Sequence, residues 1–378
     1  MKFLHLSDLH LGKSVYDFSL IDDQEHILKS ILRAADEFKP HCALISGDVF
    51  DRGVAPTEAL RLFDDFLFGL TAQGIRIFII SGNHDSADRL AFASRLIRGA
   101  GVHIAGAFSG SVERYTEIDE HGEVDIYLLP FIKPALVRRY FPAVEIETWT
   151  DAVRAVLNQA RVDPGRRSVL LAHQFVTGAL RTESEEVNVG GADNVDAGAF
   201  SGFDYVALGH LHGRQSVGRA ALRYCGSPLK YSFSEADQDK TLTLVEVGEK
   251  GSVRIREAPL TPKRDMKEIR GSYMELASRA FYQHLDRDHY YRVTLTDEQD
   301  QPDAMAKLRV IYPNLMRLDY DNMRTRTESL VGGGEDTSRL SPLELFERLY
   351  TQQNNRGLSP EQKAYLKDSI EKVWGEAQ

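Results

Sequence analysis

The residues Phe3-Leu4-His5-Leu6-Ser7-Asp8-Leu9-His10 join a short apolar run to an Asp-x-His pair. Alternate residues of an extended segment point to the same side, so Asp8 and His10 can face one site. Four further apolar runs end in polar clusters of the same kind. They lead to Gly47-Asp48-Val49-Phe50-Asp51, Gly82-Asn83-His84-Asp85, His173 and Gly209-His210-Leu211-His212.

The apolar runs alternate with helical patterns from Met1 to about Val247, which predicts an α/β domain. Apolar residues at helical spacing predict helices that include Thr57–Leu70 and Ala87–Arg98. Ligand sites of α/β domains are usually built where the strands end, because the loops meet at that rim. The predicted strands are Phe3–Leu6, Cys42–Ile45, Ile75–Ile80, Ile126–Leu129, Val169–Ala172, Tyr205–Leu208 and Leu242–Val247.

The polar clusters contain more candidate metal ligands than one tetrahedral zinc ion needs. Imidazole, carboxylate and amide oxygen donors in this number suit two octahedral-type divalent ions that share a bridging carboxylate, and the lack of a thiolate favours manganese, iron or zinc. Two ions about 3.5–4 Å apart can activate a hydroxide for in-line attack on phosphorus. The candidates are Asp8, His10, Asp48, Asn83, His173, His210 and His212.

A single histidine at a strand end is usually a polar surface residue, and a single Gly-Asp pair is usually a turn. We interpret the other histidines outside the clusters in that way. They are His5, His26, His41, His103, His121, His284 and His289. Five clusters that all follow predicted strands are not expected by coincidence, and they favour a functional site.

The composition narrows the class of protein. The chain has 378 residues with 56 acidic and 46 basic side chains, and its net charge of −10 argues against a general nucleic-acid coat protein. The length predicts two or three domains. The N-terminal residues are too polar for a signal peptide, and no apolar stretch approaches the roughly 20 residues of a membrane helix. Since Cys42 and Cys225 make no disulfide framework, we expect a cytoplasmic protein without membrane association.

Residues 1–258 form the predicted first domain, and residues 264–325 form a small α+β domain after a Pro-containing link. The predicted elements of the second domain are a helix at Met274–His284, a strand at Tyr290–Thr296, a helix at Asp303–Tyr312 and a strand at Leu315–Tyr320. This order of elements predicts a separate accessory unit.

Residues 326–340 contain three consecutive glycines and have the composition of a flexible linker. In residues 341–378, Ser341-Pro342-Leu343-Glu344 and Ser359-Pro360-Glu361-Gln362 each combine an N-cap serine, a proline at the first helical position and a capping-box partner. They predict two short amphipathic helices, which either fold back on the body or bind another protein.

The five clusters, taken in order, resemble the signature of the calcineurin-like metallophosphoesterases. Leu6-Ser7-Asp8-Leu9-His10-Leu11-Gly12 and Tyr224-Cys225-Gly226-Ser227-Pro228 resemble the Mre11/SbcD nucleases within that superfamily. The small second domain and the helical tail are also similar to theirs. The resemblance implies a β-sandwich flanked by helices, a small α+β capping domain and a C-terminal helical tail.

The resemblance also implies an activity. A member of this family is an Mn-dependent DNA nuclease that hydrolyses phosphodiesters by a two-metal mechanism. It digests duplex ends as an exonuclease and cuts hairpins and single strands as an endonuclease. It acts in DNA repair, recombination and replication, and it is associated with the nucleoid when bound to DNA.

By the same resemblance, Asp8, His10 and His212 hold one metal ion. The second ion is held by Asn83, His173 and His210. Asp48 bridges the two ions.

The resemblance also implies that His84 contacts the scissile phosphate and protonates the leaving oxygen as a general acid. Asp51 is expected to hydrogen-bond His84 and keep it protonated. Relatives in archaea and eukaryotes tend to carry histidine at the position of Asp51, so a second phosphate-contacting histidine is not expected in this chain.

Two other functions stay open. Gly47–Gly53 also resembles the phosphoprotein phosphatases, whose arginine grips phosphate, so Arg52 is either a substrate contact or part of a loop salt bridge. Ser7-Asp8-Leu9-His10 and Asp85 differ from the corresponding phosphatase motifs. A metallophosphatase or small phosphodiesterase, or a non-catalytic DNA-end scaffold, are therefore the alternatives to a nuclease.

The resemblance implies three kinds of partner. DNA is the substrate, and basic residues at 254–270 are either part of its path or a solvated face. An SbcC-type ABC ATPase with a coiled coil binds the helices of 341–378. A second copy of the chain packs through the helices 57–70 and 87–98, whose apolar residues could equally pack on the sheet.

Overall fold

The computed structural model describes residues 1–182, 185, 193–323, 325, 343, 346–347, 349–351 and 356–375. The chain forms two compact units, Met1–Asp265 and Met266–Gln378. Among the described helices, none is both long and apolar enough to cross a bilayer. The predicted division at residues 258, 264 and 325 stays a prediction.

The first unit is built from short strands and helices in alternation. Its strands are β1 (Lys2–Leu6), β2 (Ser14–Val15), β3 (Phe18–Ser19), β4 (Cys42–Ser46), β5 (Arg76–Ile80), β6 (Val102–Ala105), β7 (Glu113–Asp119), β8 (Gly122–Leu129), β9 (Arg167–His173), β10 (Phe175–Val176), β11 (Asn194–Val195), β12 (Tyr205–Gly209), β13 (Gln215–Val217), β14 (Arg219–Tyr224), β15 (Thr241–Val247) and β16 (Val253–Pro259). Its helices are α1 (Ile21–Phe38), α2 (Thr57–Ala72), α3 (Ala87–Leu90), α4 (Ser94–Ile97), α5 (Pro134–Val137) and α6 (Trp149–Gln159). All seven apolar runs of the sequence therefore lie in strands, as predicted.

Two six-stranded sheets dominate the first unit. The first has the order β16-β15-β1-β4-β5-β6 and the second the order β13-β14-β12-β9-β8-β7. The central strands β1, β4 and β5 of the first sheet run parallel to one another, as do β8, β9 and β12 of the second. Buried parallel strands read as continuous apolar runs, which is why the sequence marked them clearly.

The two sheets share one apolar core. Phe3, Leu44 and Phe78 of the first sheet pack in the same cluster as Ile126 and Val169 of the second. Alternate residues of the second sheet face the other way and pack with α6, whose start is capped by Thr148 and Asp151. The predicted β-sandwich flanked by helices follows from this alternation.

One predicted helix of the first unit is wrong as a single element. The segment 87–98 forms the two single turns α3 and α4, because Ala93 adopts a left-handed backbone with φ of 60°. The turn α3 lies close to Gly106, where an added Cβ would approach the carbonyl of Ala87 to 2.4 Å. Apolar spacing gives no information about such a backbone reversal. The predicted helix 57–70 is confirmed as α2.

The second unit contains β17 (Met266–Gly271), α7 (Tyr273–Leu276), α8 (Arg279–Tyr282), β18 (Tyr290–Leu295), α9 (Ala304–Arg309), β19 (Leu315–Tyr320) and α10 (Pro360–Gly375). Strands β17, β18 and β19 form a parallel sheet in that order. Strand β17 is missing from the sequence prediction, since its alternating charges were interpreted as a basic cluster.

The predicted helix 274–284 is wrong as one helix. It is divided into α7 and α8 because Ser272 and Ser278 each accept a hydrogen bond from a later backbone amide and cap a new turn.

The predictions for the C-terminal segment are tested only in part. The predicted linker 326–340 lies outside the described residues, and the helix expected after Ser341 is described for a few residues only. The second helix is confirmed as α10. Ser359 and Gln362 make the reciprocal bonds of a capping box, at 2.9 and 3.2 Å.

A buried arginine joins the two sheets at the end opposite the loops of interest. Arg167 of β9 is 4% exposed at its side chain and pairs with Asp119 of β7. Its guanidinium also donates to the carbonyl of Gly248, just after β15, at 2.9 Å. Burial raises the pKa of Asp119, but the hydrogen bonds from Arg167 and from the N-terminal ammonium of Met1 outweigh burial and hold that pKa below its ordinary value.

We expect Asp119→Asn to lower the free energy of unfolding by about 3 kcal/mol at pH 7, because Arg167 then stays buried without its counter-ion. Since the folded-state pKa of Asp119 is depressed, its contribution is present above the ordinary aspartate pKa of about 4 and is lost as the pH falls below it. Urea unfolding between pH 7 and pH 3 measures both effects.

The matched control is Glu25→Gln, which removes the exposed ion pair with Lys29 and should cost less than about 0.5 kcal/mol. Equal losses in the two variants would contradict the assigned importance of the Arg167 pair.

Candidate metal centre

The polar clusters meet at one rim of the sandwich. Strands β1, β4 and β5 end there in the first sheet, and β9 and β12 end there in the second. The hydroxyl of Ser46 donates to the carbonyl of Ala207 at 2.9 Å, which joins β4 to β12 across the two sheets. The carbonyl of Ser46 accepts a hydrogen bond from Nδ1 of His173 at 2.8 Å. The strand ends therefore bring residues from the whole first unit together.

The backbone carries the site residues in a rarely adopted conformation. Asp8, His10 and Asp48 have φ of 52°, 43° and 51°, and His210 has φ of 103°. Positive φ is uncommon for residues with a Cβ, and such positions cluster at functional sites where the surrounding structure holds them. Here the amides of Asp8 and His10 donate to the carbonyls of Gly47 and Asp48, both at 3.0 Å.

Glycines are required because the chain segments come too close for side chains. An added Cβ at Gly209 would lie 2.0 Å from the carbonyl oxygen of Ser46. One at Gly82 would lie 2.0 Å from Oδ1 of Asp48. Gly209 thus allows the strand ends of the two sheets to approach each other, and Gly82 allows the loops after β4 and β5 to approach within the first sheet.

Three predicted ligands form one group at this rim. The ligand atoms of Asp8, His10 and His212 all lie within 4.8 Å of one another. Nε2 of His10 is 3.1 Å from Nε2 of His212. Both carboxylate oxygens of Asp8 also accept from the amide of His210, at 3.0 and 3.2 Å, which fixes the aspartate.

The other predicted ligands converge beside this group. Oδ1 of Asn83 lies 3.0 Å from Nε2 of His173 and 3.0 Å from Nδ1 of His210. Oδ2 of Asp48 lies 3.3 Å from Nε2 of His173 and 3.8 Å from Nε2 of His10. Asp48 is therefore close to ligands of both groups.

Burial controls the protonation of the site. Burial, together with the nearby His173, lowers the pKa of His210 to about 3. Burial raises the pKa of Asp8 to about 6. Burial also lowers the pKa of His173, but the carboxylate of Asp48 outweighs it and raises that pKa to about 9. The site thus holds a positive charge next to Asp48.

The donor set fits divalent metal ions. Imidazole nitrogens, carboxylate oxygens and one amide oxygen face one another in a buried space, with no thiolate among them. Nδ1 of His10 is buried and has no hydrogen-bond partner within the described part of the chain. The proton on His173 lies next to Asp48, and a cation that binds there would displace this proton.

His84 lies at the open side of this cluster. Its amide donates to Oδ1 of Asp48 at 2.9 Å, and its Nε2 is 4.0 Å from Oδ2 of Asp48. The side chain is 22% exposed.

Asp51 does not contact His84 in the predicted way. Nδ1 of His84 is 3.2 Å from the backbone carbonyl of Asp51. The carboxylate of Asp51 instead pairs with Lys13 at 2.6 Å and lies 3.7 Å from Nδ1 of His10. The Asp51 carboxylate therefore forms its ion pair with Lys13, and not with His84 as the sequence interpretation predicted.

Arg52 points away from the buried ligands. Its side chain is 81% exposed, and its Nε lies 3.6 Å from the carboxylate of Asp51. This contact matches the loop salt bridge that the sequence left open beside a substrate contact.

The sequence interpretation missed several residues that support the ligands. Asp85 accepts from the amides of Gly82 and Phe50, at 2.9 and 3.0 Å, and so ties the loops after β4 and β5 together. Gln24 of α1 donates to the carbonyl of His10 at 2.7 Å. Asp85 belongs to a quoted motif, whereas no sequence signal marks Gln24.

Glu235 is the most deeply buried of these supports, with 0% exposure. Its carboxylate lies 3.3 Å from Nδ1 of His212 and 2.5 Å from Nζ of Lys240. A hydrogen bond from Nδ1 of His212 leaves Nε2 to face the site, which is how carboxylates orient metal-binding histidines. Glu235 follows His212 by 23 residues and belongs to no motif, so only the tertiary structure identifies it.

Comparison with known proteins adds independent findings. Residues 1–214 match the family model described as calcineurin-like phosphoesterase. Residues 262–354 match the one described as the type 5 capsule protein repressor C-terminal domain, SbcD_C. The chain is 31% identical over 322 residues to the SbcD subunit of the nuclease SbcCD from Staphylococcus epidermidis, which covers 84% of this chain and 85% of that protein.

Two solved structures are also similar. A dimetal phosphatase from Danio rerio aligns with a TM-score of 0.40 and 10% identity, over 69% of this chain and 96% of that chain. The protein TT1561 of Thermus thermophilus aligns with a TM-score of 0.37 and 11% identity, over 68% of this chain and 98% of that chain.

We expect Glu235→Gln to weaken the binding of divalent metal ions by about 10- to 100-fold, because the orienting partner of His212 loses its charge. Titration of the metal-free protein with Mn²⁺, followed by calorimetry, measures the affinity. The double variant Glu235→Gln with Lys240→Met also removes the lysine that would otherwise stay buried without the Glu235 carboxylate as its counter-ion.

A purely structural role predicts that the double variant regains both stability and metal affinity. A positioning role predicts that it regains stability while the affinity stays low. Wild-type affinity in both variants would contradict the role assigned to Glu235.

Proposed function

The chain belongs to the SbcD-type nuclease family of the calcineurin-like phosphoesterases, and from this premise we propose that it is an Mn-dependent DNA nuclease subunit. The predicted family and fold class are confirmed, and as a member the chain is a metal-dependent phosphodiesterase. The observation that carries the proposal is the convergence of all seven predicted ligands and His84 at one rim. The proposed activities are exonuclease action on duplex ends and endonuclease action on hairpins and single strands.

The proposed metal ligands divide as the distances suggest. Asp8, His10 and His212 would hold one ion. Asn83, His173 and His210 would hold the other, with Asp48 between them, and the distances from Asp48 to His10 and His173 support this division. When bound, two divalent ions supply Lewis-acid activation of the attacking water and neutralise charge on the phosphoryl oxygens.

His84 is the proposed general acid. A protonated imidazole donates through Nδ1 to the carbonyl of Asp51, at 3.2 Å, which directs Nε2 toward the buried ligands. From there Nε2 can contact the scissile phosphate and give its proton to the leaving oxygen. The contact is made by the backbone of Asp51, so the proposed role of Asp51 is to orient His84 through its carbonyl. Arg52 remains a proposed phosphate contact. Its side chain is exposed and lies beside the carboxylate of Asp51.

The proposed protein partners bind through residues other than the metal ligands. The helices of 341–378 would bind the coiled coil of an SbcC-type ABC ATPase, in DNA repair, recombination and replication. A homodimer through residues 57–70 and 87–98 is supported by exposed apolar side chains, since Phe68, Phe92 and Leu96 are 74%, 83% and 83% exposed. Light scattering tests the dimer, and a mass near the 42.5 kDa of one chain would contradict it. The cytoplasmic, nucleoid-associated location stays a prediction from the sequence.

We expect His84→Gln to lower the cleavage of hairpin DNA by about 10²- to 10⁴-fold in the presence of Mn²⁺, because the leaving oxygen loses its proton donor. Labelled hairpin DNA and p-nitrophenyl phosphate are assayed in parallel, and the metal content of each variant is measured. His121→Gln is the matched control, since His121 lies at the surface beside Glu120 and should leave cleavage unchanged.

Hydrolysis of the monoester without DNA cleavage, with the ATPase partner present, would favour the metallophosphatase alternative. DNA-end binding without hydrolysis of either substrate would favour the scaffold alternative.

Deletion of the residues after Gly334 should abolish binding to the ATPase partner and leave the metal content of the first unit unchanged. Co-purification of the truncated and full-length chains with a tagged partner measures the first effect, and metal analysis measures the second. Undiminished co-purification of the truncated chain would reject the proposed role of the helices in 341–378.

A further inference from the structure

A third strand of the second sheet ends at the same rim without contributing a metal ligand. Strand β8 runs parallel to β9, and the residues after it are Pro130, Phe131, Ile132 and Lys133. The amide of Phe131 donates to the carbonyl of Ser81 at 2.9 Å, directly before the loop that carries Asn83 and His84. The segment therefore lies next to the ligands, although no motif marks it.

Phe131 presents an aromatic ring beside His173. The two ring centroids are 6.1 Å apart, with the rings nearly perpendicular, and Trp149 lies 5.8 Å from Phe131 on another side. Phe131 is only partly buried. The ring is thus accessible within one nucleotide length of the proposed metal ligands.

The backbone holds this ring firmly. The carbonyl of the next residue, Ile132, accepts from Nε2 of Gln174 at 3.1 Å, and both residues are buried. Val137 anchors the following turn α5 in the core of the unit. An aromatic side chain on a fixed backbone loses little conformational freedom when a ligand stacks on it.

One positive charge lies close to the ring. Nζ of Lys133 lies 5.7 Å from the centroid of Phe131. Lys133 is exposed, as are Arg138 and Arg139 further along the chain, and in the described part of the chain none of the three forms an ion pair with a carboxylate. Cations without acidic partners beside an aromatic ring are the features that bind single-stranded nucleic acid, in which bases stack on rings and phosphates meet lysine and arginine.

We propose that Phe131 and Lys133 form a nucleotide subsite for an unpaired DNA strand next to the metal centre. The ring of Phe131 stacks on the base beside the scissile phosphate, and the ammonium of Lys133 contacts a neighbouring phosphate. This assignment rests on the proposed nuclease function and specifies its substrate, because a base can reach the ring only where it is not paired.

The test compares two hairpins of the same stem, one with a thymidine loop and one with a loop of abasic residues. Wild type should cleave the thymidine loop about 5- to 100-fold faster, as expected for a stacked base. Phe131→Ala should cleave both loops at the same slow rate, and Phe131→Trp should restore the preference for bases. The metal content of these variants should equal that of wild type.

Lys133→Ala should weaken the binding of both hairpins alike and reduce the dependence of binding on salt. The matched control Arg33→Ala removes an exposed charge on α1 that contacts only Ser30 in the described hydrogen bonds, and it should change neither binding nor cleavage.

Four results would count against the subsite in distinguishable ways. A Phe131→Ala variant that still prefers the thymidine loop overturns the subsite and leaves the nuclease function intact. Loss of bound metal in Phe131→Ala shows that the ring only supports His173, which also overturns it. Lys133→Ala that binds both hairpins like wild type, with the same salt dependence, overturns the phosphate contact. Wild type that cleaves neither hairpin overturns the proposed function and the subsite with it.

Discussion

The close approach of β4 to β9 and β12 is the constraint on which the site depends. The Ser46 carbonyl accepts from Nδ1 of His173 at 2.8 Å, and Gly209 leaves no room there for a side chain. Because this contact joins the two sheets, ligands from β1, β4 and β5 meet ligands from β9 and β12. Without it the seven ligands would lie on two separate sheet edges.

The same approach has an electrostatic cost. It buries two aspartates and four histidines, whose charged forms would be better solvated in water. The metal-free protein offsets part of the cost by pairing Asp48 with His173, whose pKa is raised to about 9. Bound divalent ions would neutralise the carboxylates more completely. The site aspartates contribute to the net charge of −10, and bound metal ions would offset that contribution. An acidic chain is therefore compatible with the proposed local contact with DNA.

Support for the ligands comes from residues that are far from them in the sequence. Gln24 holds the backbone of His10, Asp85 holds two loops, and Glu235 orients His212. A pattern of residue types cannot reveal these contacts, since each depends on where a helix or a loop packs. A pattern of residue types also does not reveal backbone conformation. The left-handed Ala93 divides a segment whose apolar residues have regular helical spacing.

The sequence by itself determined seven of the strands, the set of candidate ligands and the family, because buried strands read as apolar runs and the candidate ligands lie just after five of these runs. The tertiary structure alone decided which group each residue contacts. It assigned the carboxylate of Asp51 to Lys13, gave His84 a backbone carbonyl as its partner, and brought Phe131 beside His173. These contacts join loops and strand ends that are distant in the sequence, and their distances depend on how neighbouring strands and the loops after them pack, which no local spacing in the chain encodes.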